Sequence, residues 1–436
     1  MVAALVVATC WVATSWVAVL PVSSVGAVRV PSGVDTVVVL VFVFVYLGMI
    51  LGEIPGLALE RTGVALLGAI ILLAAGRVTP DEAWTAVDVP TIGLLFGLMV
   101  VSAQFRLGGF YAAATRRMAA ADVSPDALLA MVIAVAGVLS AVLANDIVCL
   151  AMAPVLAEGC SRRRLHPVPF LLALACASNV GSAATLIGNP QNMLIGQTLA
   201  MSFGGYLADA AAPSALGLAA VWLVIRWRVA GRWEVPSAVT HVEPPPFNLW
   251  QTGKAFVVLA GLVAAFLFAP WPRELLALGA AGVLLMSRRM ASRTMLALVD
   301  WNLLVLFIAL FVVNHALQDS GTLAAFLGTA RDVGVDPAHP VWLFGTTAAL
   351  SNIVSNVPAV MLLLPTATHP LAGPILALSS TLAGNLLIVG SIANIIVVDQ
   401  AAQVNVRISW RDHAAVGIPV TIVTLAIAAA WLALRG

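Results

Sequence analysis

Charge is what this chain of 436 residues lacks. Asp, Glu, Lys and Arg together make up 9% of it, and Lys254 is its one lysine. A soluble domain carries about 25% charged residues. Water therefore cannot be the solvent for most of this chain, and apolar residues fill 61% of it. Also missing is the period-2 alternation that marks a membrane barrel. The apolar runs instead approach twenty residues, the length of a spanning helix. A net charge of +1 gives no case for nucleic acid as a partner. The four cysteines (Cys10, Cys149, Cys160 and Cys176) show no metal-ligand spacing and read as small apolar fillers. No HExxH, GxSxG or clustered metal-ligand motif occurs, so an enzyme is not expected, nor a cofactor beyond a coupling ion. The apolar run at residues 2–20 lacks the basic flank of a signal peptide and is expected to be a first membrane helix. The shortage of lysine reads as genome composition.

What the chain does have, it has twice. Residues 87–109 match residues 299–321, each opening on Val-Asp and ending near Gly. Residues 139–154 match 350–365, and the GNPQN of residues 188–192 matches the GSIAN of residues 390–394. The pairs keep their order. Two apolar segments, 126–157 and 340–366, are too long for one span and are interrupted by Asn145-Asp146 and by Asn356-Val357-Pro358. Each is expected to be a re-entrant hairpin. The segments 167–200 and 374–399, with Gly, Ser and Asn at mid-depth, are expected to be discontinuous helices.

The expected fold is an all-α polytopic membrane protein of about 11 transmembrane helices plus two re-entrant hairpins, in two inverted-topology repeats. Residues 1–33 form an N-terminal helix and outer loop, 34–228 the first repeat, 229–250 a cytoplasmic linker and 251–436 the second repeat. With the N-terminus in the cytoplasm and the C-terminus outside, most basic residues fall inside, as the positive-inside rule requires. Arg106, Arg226, Arg293 and Arg407 are among them; Arg77, Arg273, Arg331 and Arg435 fall outside. The cluster Arg162, Arg163 and Arg164 reads as a topology anchor.

The candidate site follows from polar residues placed in apolar surroundings. An ionised Asp146 near mid-membrane costs roughly 2.5–3.5 kcal/mol, so it is expected to serve a proton, a cation or a substrate rather than only cap a half-helix. Asn145 beside it aligns with Asn356, next to Ser355. Ser178, Asn179, Gly181 and Ser182, then Thr185, Gly188, Asn189 and Asn192, form a second cluster. Gly384, Asn385, Gly390, Ser391 and Asn394 are its partners. Gly, Ser and Pro190 are expected to break the helix and free backbone groups for ions; close helix packing is the alternative use of the small residues. His315, beside Asn314, is a possible proton relay with Asp146 or a packing histidine. Glu53 and Asp209 read as interfacial.

The stretch TLIGNPQN at residues 185–192 resembles the TLIGTPxN signature of the ion-transporter superfamily. That group includes dicarboxylate/sodium symporters, arsenite permeases and NhaD-type antiporters. Asn145-Asp146 and Ser355-Asn356-Val357-Pro358 resemble the ND and SNxP of the arsenite permease branch, and the whole looks most like YbiR-type bacterial permeases. The resemblance implies a homodimeric elevator transporter in the bacterial plasma membrane, with hairpin tips and broken helices as two clamshells. It departs from the dicarboxylate branch, whose Ser-Asn-Thr triplets are here Ala144-Asn145-Asp146 and Ser355-Asn356-Val357. The expected function is transport of a small inorganic oxyanion or its neutral, arsenite-like acid, coupled to H+ or Na+. A sodium/proton antiporter and a sodium-coupled di/tricarboxylate symporter are the alternatives.

Overall fold

The computed structural model describes residues 35–52, 58–234, 245–287 and 290–435. The expected first helix, Glu53, Cys10 and residues 235–244 of the polar linker lie outside them. Every regular element among the described residues is a helix. The first half runs α1 (Thr36–Leu51), α2 (Arg61–Ala74), α3 (Pro80–Ala86), α4 (Val89–Leu107), α5 (Phe110–Ala119), α6 (Pro125–Val142), α7 (Asn145–Arg162), α8 (Pro167–Ser182), α9 (Pro190–Thr198) and α10 (Phe203–Val229). The second runs α11 (Leu249–Phe268), α12 (Arg273–Leu285), α13 (Ser292–Leu296), α14 (Trp301–Asp319), α15 (Thr322–Asp332), α16 (Pro340–Val354), α17 (Asn356–Leu363), α18 (Ala372–Ala383), α19 (Ile392–Gln403) and α20 (Trp410–Arg435). Six of these helices, α4, α6, α10, α11, α14 and α20, are long and apolar enough to cross a membrane.

Capping chemistry explains why the sequence repeats where it does. Asp88 Oδ1 accepts from Thr91 N at 2.9 Å and opens α4; Asp300 Oδ1 accepts from Leu303 N at 2.9 Å and opens α14. At the far ends Gly109 (φ 68°) and Gly321 (φ 70°) take the left-handed turn into α5 and α15. A side chain at Gly109 would also meet Pro246 O at 2.6 Å. The repeated Val-Asp…Gly is thus a cap, a spanning helix and a reversal.

The helices pack into two groups. A frame holds α1, α2, α4, α11, α12 and α14, with α12 on α4 and, reciprocally, α2 on α14. A block holds α6 to α10 and α16 to α20, where α6 packs on α8 and α16 on α18. In the block α8 is buried on all sides, as is α18, so neither keeps a lipid-facing stripe. The frame meets the block where α4 touches α7 and α9, α1 touches α16, and α14 touches α17. The long helices α10 and α20 pack together and are tied by Arg435 to Asp209 at 2.9 Å, giving that interfacial acid a partner.

Two expectations about local structure need correction. Ser178, Asn179, Gly181 and Ser182 do not break their helix; α8 stays helical through Ser182, and the break spans residues 183–189. Gly181 serves packing: a Cβ there would lie 2.2 Å from Gly137 O, so glycine lets α8 and α6 touch backbone to backbone. Nor is Pro190 a breaker. It occupies the first turn of α9, where its missing N–H costs nothing, behind the Asn189 cap. Arg163 does more than anchor topology, since its guanidinium donates to Ala121 O and Val123 O in the α5–α6 connection.

Candidate functional site

The centre of the block is where the two broken helices meet, and its hydrogen bonds come in mirrored pairs. Asn192 Nδ2 donates to Thr185 O (2.9 Å) and Ser182 O (3.4 Å), closing the gap between α8 and α9. Asn394 Nδ2 does the same between α18 and α19, donating to Gly384 O (2.8 Å) and Leu387 O (3.1 Å). Each break frees carbonyls that lipid cannot satisfy, and an amide from the following half-helix takes them up. Gly188 makes room: a Cβ there would sit 2.3 Å from Ser182 O.

Each half then reaches across. Asn179 on α8 donates to Asn385 Oδ1 (2.8 Å) and Asn394 Oδ1 (3.1 Å), and it accepts from Ser391 Oγ (2.9 Å). Thr381, at the matching place on α18, donates to Asn192 Oδ1 (3.4 Å) and accepts from Asn189 Nδ2 (3.2 Å) and Gln191 Nε2 (3.1 Å). Asn189 also donates to Ser182 Oγ at 3.0 Å. All these side chains are buried.

The hairpin tips close on this centre. Asn145 donates to Asn179 Oδ1 at 3.5 Å, its carbonyl accepts from Ser178 Oγ at 3.2 Å, and Thr185 Oγ1 donates to Ala141 O. On the other side the Asn356 amide satisfies both ends with its nitrogen toward Ser380 O (3.1 Å) and Gly390 O (3.3 Å) and its oxygen toward Gln191 Nε2 (3.2 Å). A Cβ on Gly384 would crowd the Asn356 side-chain amide at 3.2 Å, and one on Gly390 would lie 2.9 Å from Asn352 Oδ1. Ser355 forms the second tip with φ 79° and ψ 161°, a region that disfavours side chains.

Asn145, Asn356 and the residues of both broken helices therefore gather at one place, and Asp146 stands at its edge. Asp146 lines a cavity of about 40 Å³ with Asn145, Asn189, Met99 and Asp300. Among the described residues none that lines it is basic. His315 does not join it. His315 lies with Asn314, Asp88, Thr198 and Gln318 around a separate cavity of about 370 Å³, within electrostatic reach of Glu82. A direct relay between His315 and Asp146 is not what the fold builds, because Asp300 and His315 lie toward opposite ends of α14.

Several contributors carried no signal in the sequence. Ser102 on α4 accepts from Ala144 N at the first hairpin tip (3.3 Å), and Tyr46 on α1 donates to Asn314 Oδ1 (3.0 Å) and Pro358 O (3.4 Å) at the second. Tyr206 receives Asn192 Nδ2 at 3.1 Å and donates to Ala183 O at 2.7 Å. These hydroxyls sit in apolar runs where nothing separates them from packing residues; only the repeat alignment of Ser102 with Asn314 could have flagged one.

The chain has relatives among known proteins. Residues 46–374 match the family described as CitMHS, citrate transporter. The inner membrane protein YbiR of Escherichia coli is 31% identical over 341 residues, covering 76% of this chain and 85% of that protein. The silicon efflux transporter LSI3 of Oryza sativa subsp. japonica is 26% identical and covers 86% of this chain and 93% of that protein. An uncharacterized transporter of Mycobacterium tuberculosis is 28% identical, covering 86% and 94%. In fold, the YdaH transporter of Alcanivorax borkumensis, described as having an unusual topology, aligns with a TM-score of 0.58 at 15% identity over 92% of this chain and 98% of that one.

Proposed function

The chain belongs to the CitMHS family of membrane transporters, and from that premise we propose that it moves a small inorganic oxyanion, or its neutral hydroxylated acid, by alternating access coupled to H+ or Na+. The observation that carries this reading is the composition of the central site. Amides and hydroxyls from both halves converge there beside a cavity lined by two carboxylates, Asp146 and Asp300, and by no basic side chain among the described residues. Amides offer donors and acceptors at once, which suits an uncharged acid bearing several hydroxyls. The silicon efflux transporter among the relatives supports the same substrate class.

The family description favours a second reading, a citrate-like tricarboxylate. Its obstacle is electrostatic: a trianion would meet Asp146 with no cation to offset it, unless a metal ion or proton travelled with the substrate. A sodium/proton antiport without any anion is the third.

In all three readings the frame stays still, the block carries the site between the two membrane faces, and Asp146 couples the movement. Two inverted repeats, a homodimer and an N-terminus in the cytoplasm belong to the same proposal. The test is uptake and efflux in proteoliposomes under an imposed proton or sodium gradient, with silicate, arsenite, phosphate and citrate as substrates. Gradient-driven movement of a neutral acid, abolished by Asp146→Asn with folding intact, is the expected result. Full gradient-driven flux through Asp146→Asn overturns the coupling role, and citrate as the one transported species overturns the substrate class.

A further inference from the structure

The repeated Val-Asp motif caps two frame helices, yet its two aspartates face different surroundings. Asp88 borders the large cavity beside His315 and Gln318. Asp300 stands at the solvent-exposed mouth of the small cavity, across from Asp146. The two carboxylates are near enough for their charges to repel, and no donor from the described residues reaches the Asp146 carboxylate. Only one Asp300 oxygen is used by the cap on Leu303 N.

A third oxygen points the same way. Asn145 is 6% exposed, and its Oδ1 has no hydrogen-bond partner. Its nitrogen is turned to Asn179 and its carbonyl to Ser178, so Oδ1 is left for the cavity that Asn145 lines. A buried acceptor without a donor is costly and rare in a settled structure. Two carboxylates and an orphan amide oxygen around one small space, without a basic side chain, are complementary to a cation.

The size of the space selects the kind. About 40 Å³ holds one or two waters at most. Magnesium keeps several of its waters and calcium takes six to eight oxygens, so neither is served here. A small monovalent ion, which gives up water more easily than a divalent one and needs less room than potassium, is.

We propose that Asp146, Asp300 and Asn145 Oδ1 form a site for a sodium-class monovalent cation that straddles the moving and fixed groups and latches the first hairpin tip to the frame. It rests on the transport reading above. The second hairpin has no such latch, because Val357 stands where the repeat would put the acid. The cation therefore favours the end state in which Asp146 meets Asp300 and leaves the opposite end state unaided.

The experiment is thermal unfolding of the purified full-length protein titrated with NaCl, KCl or choline chloride at constant ionic strength. Asn caps a helix as well as Asp does, so Asp300→Asn preserves the start of α14; Asp300→Ser is a second cap-preserving variant. Sodium is expected to raise the wild-type midpoint more than potassium or choline, and Asp300→Asn to weaken the apparent sodium affinity about tenfold, as loss of one of two nearby charges implies. Asp88→Asn is expected to leave the sodium response unchanged. A wild-type response from Asp300→Asn and Asp300→Ser, with loss in Asp146→Asn, overturns the straddling site while leaving the coupling role of Asp146 standing. Equal effects of sodium, potassium and choline on the wild type overturn the cation site itself.

Discussion

Asn179 is the side chain through which one half of the block grips the other, and its removal should be measurable. Asn179→Ala takes away two amide donor bonds, at 2.8 and 3.1 Å, and the acceptor used by Ser391 at 2.9 Å and by Asn145 at 3.5 Å. In a water-excluded interior each orphaned group costs about 1–3 kcal/mol. Inside membrane proteins the measured value averages about 0.6 kcal/mol and reaches about 1.7, because the unfolded chain in the bilayer finds other partners. Asn394 still has its own nitrogen bonds to Gly384 O and Leu387 O, so only its oxygen is stranded. Four lost bonds at the membrane average give about 2–3 kcal/mol, and the lower end applies if water enters the gap. The assay is thermal unfolding in detergent followed by size-exclusion fluorescence, alongside flux in proteoliposomes. Asn179→Asp is the sharper variant: it keeps the acceptor, loses the donors and sets a carboxylate against two amide oxygens, so it should lose more than the alanine. A change below about 0.5 kcal/mol in both variants, with normal flux, would refute the idea that this amide joins the halves.

Other consequences are as direct. Gly188→Ala places a methyl 2.3 Å from Ser182 O and 2.8 Å from Ser140 O, both backbone, so a loss of about 3 kcal/mol or more is expected in the same unfolding assay. Gly282→Ala in α12 meets open space and should gain up to about 1 kcal/mol. Ser355→Gly relieves the positive φ at the second tip and should raise the unfolding midpoint by roughly 1 kcal/mol, while Ser355→Ala should not; a lower midpoint for the glycine variant would show that the hydroxyl matters more than the backbone. Outside the spans, Ala338 N–H and then Arg331 hold the Asp336 carboxyl below the usual carboxylate range. Its contribution is present above the ordinary carboxylate pKa and is lost as pH falls through the lowered one, so Asp336→Asn should flatten the acid limb of a stability–pH curve there.

The sequence made the helical class plain because so little charge and no alternation leave one solvent and one regular element. It also showed which amides matter: Asn145, Asn179, Asn192 and Asn394 stand out wherever neighbours are Val, Leu and Ala. Hydroxyls were legible only beside those amides, as at Ser178, Ser182, Thr185 and Ser391. Ser102, Tyr46 and Tyr206 hide in apolar runs, since each packs acceptably without a partner and reveals its bond only in three dimensions. Glycine was misread for a related reason. A break and a close crossing both call for a missing Cβ, and only the position of Gly137 decides that Gly181 serves the crossing. The short helices α3, α5, α13 and α15 escaped notice because, at five to eleven residues, they are too brief to stand apart from the long apolar spans around them.

Because Asn192 and Asn394 mend their own chain while Asn179 and Thr381 hold the opposite one, neither clamp can loosen without disturbing its twin. On the transport reading proposed above, cargo release demands displacement of the entire ten-helix body along its seam with the frame, not the unbuttoning of one flap. Lipid becomes part of the gearing: turnover should respond to acyl-chain length, with thicker or stiffer bilayers slowing every substrate alike.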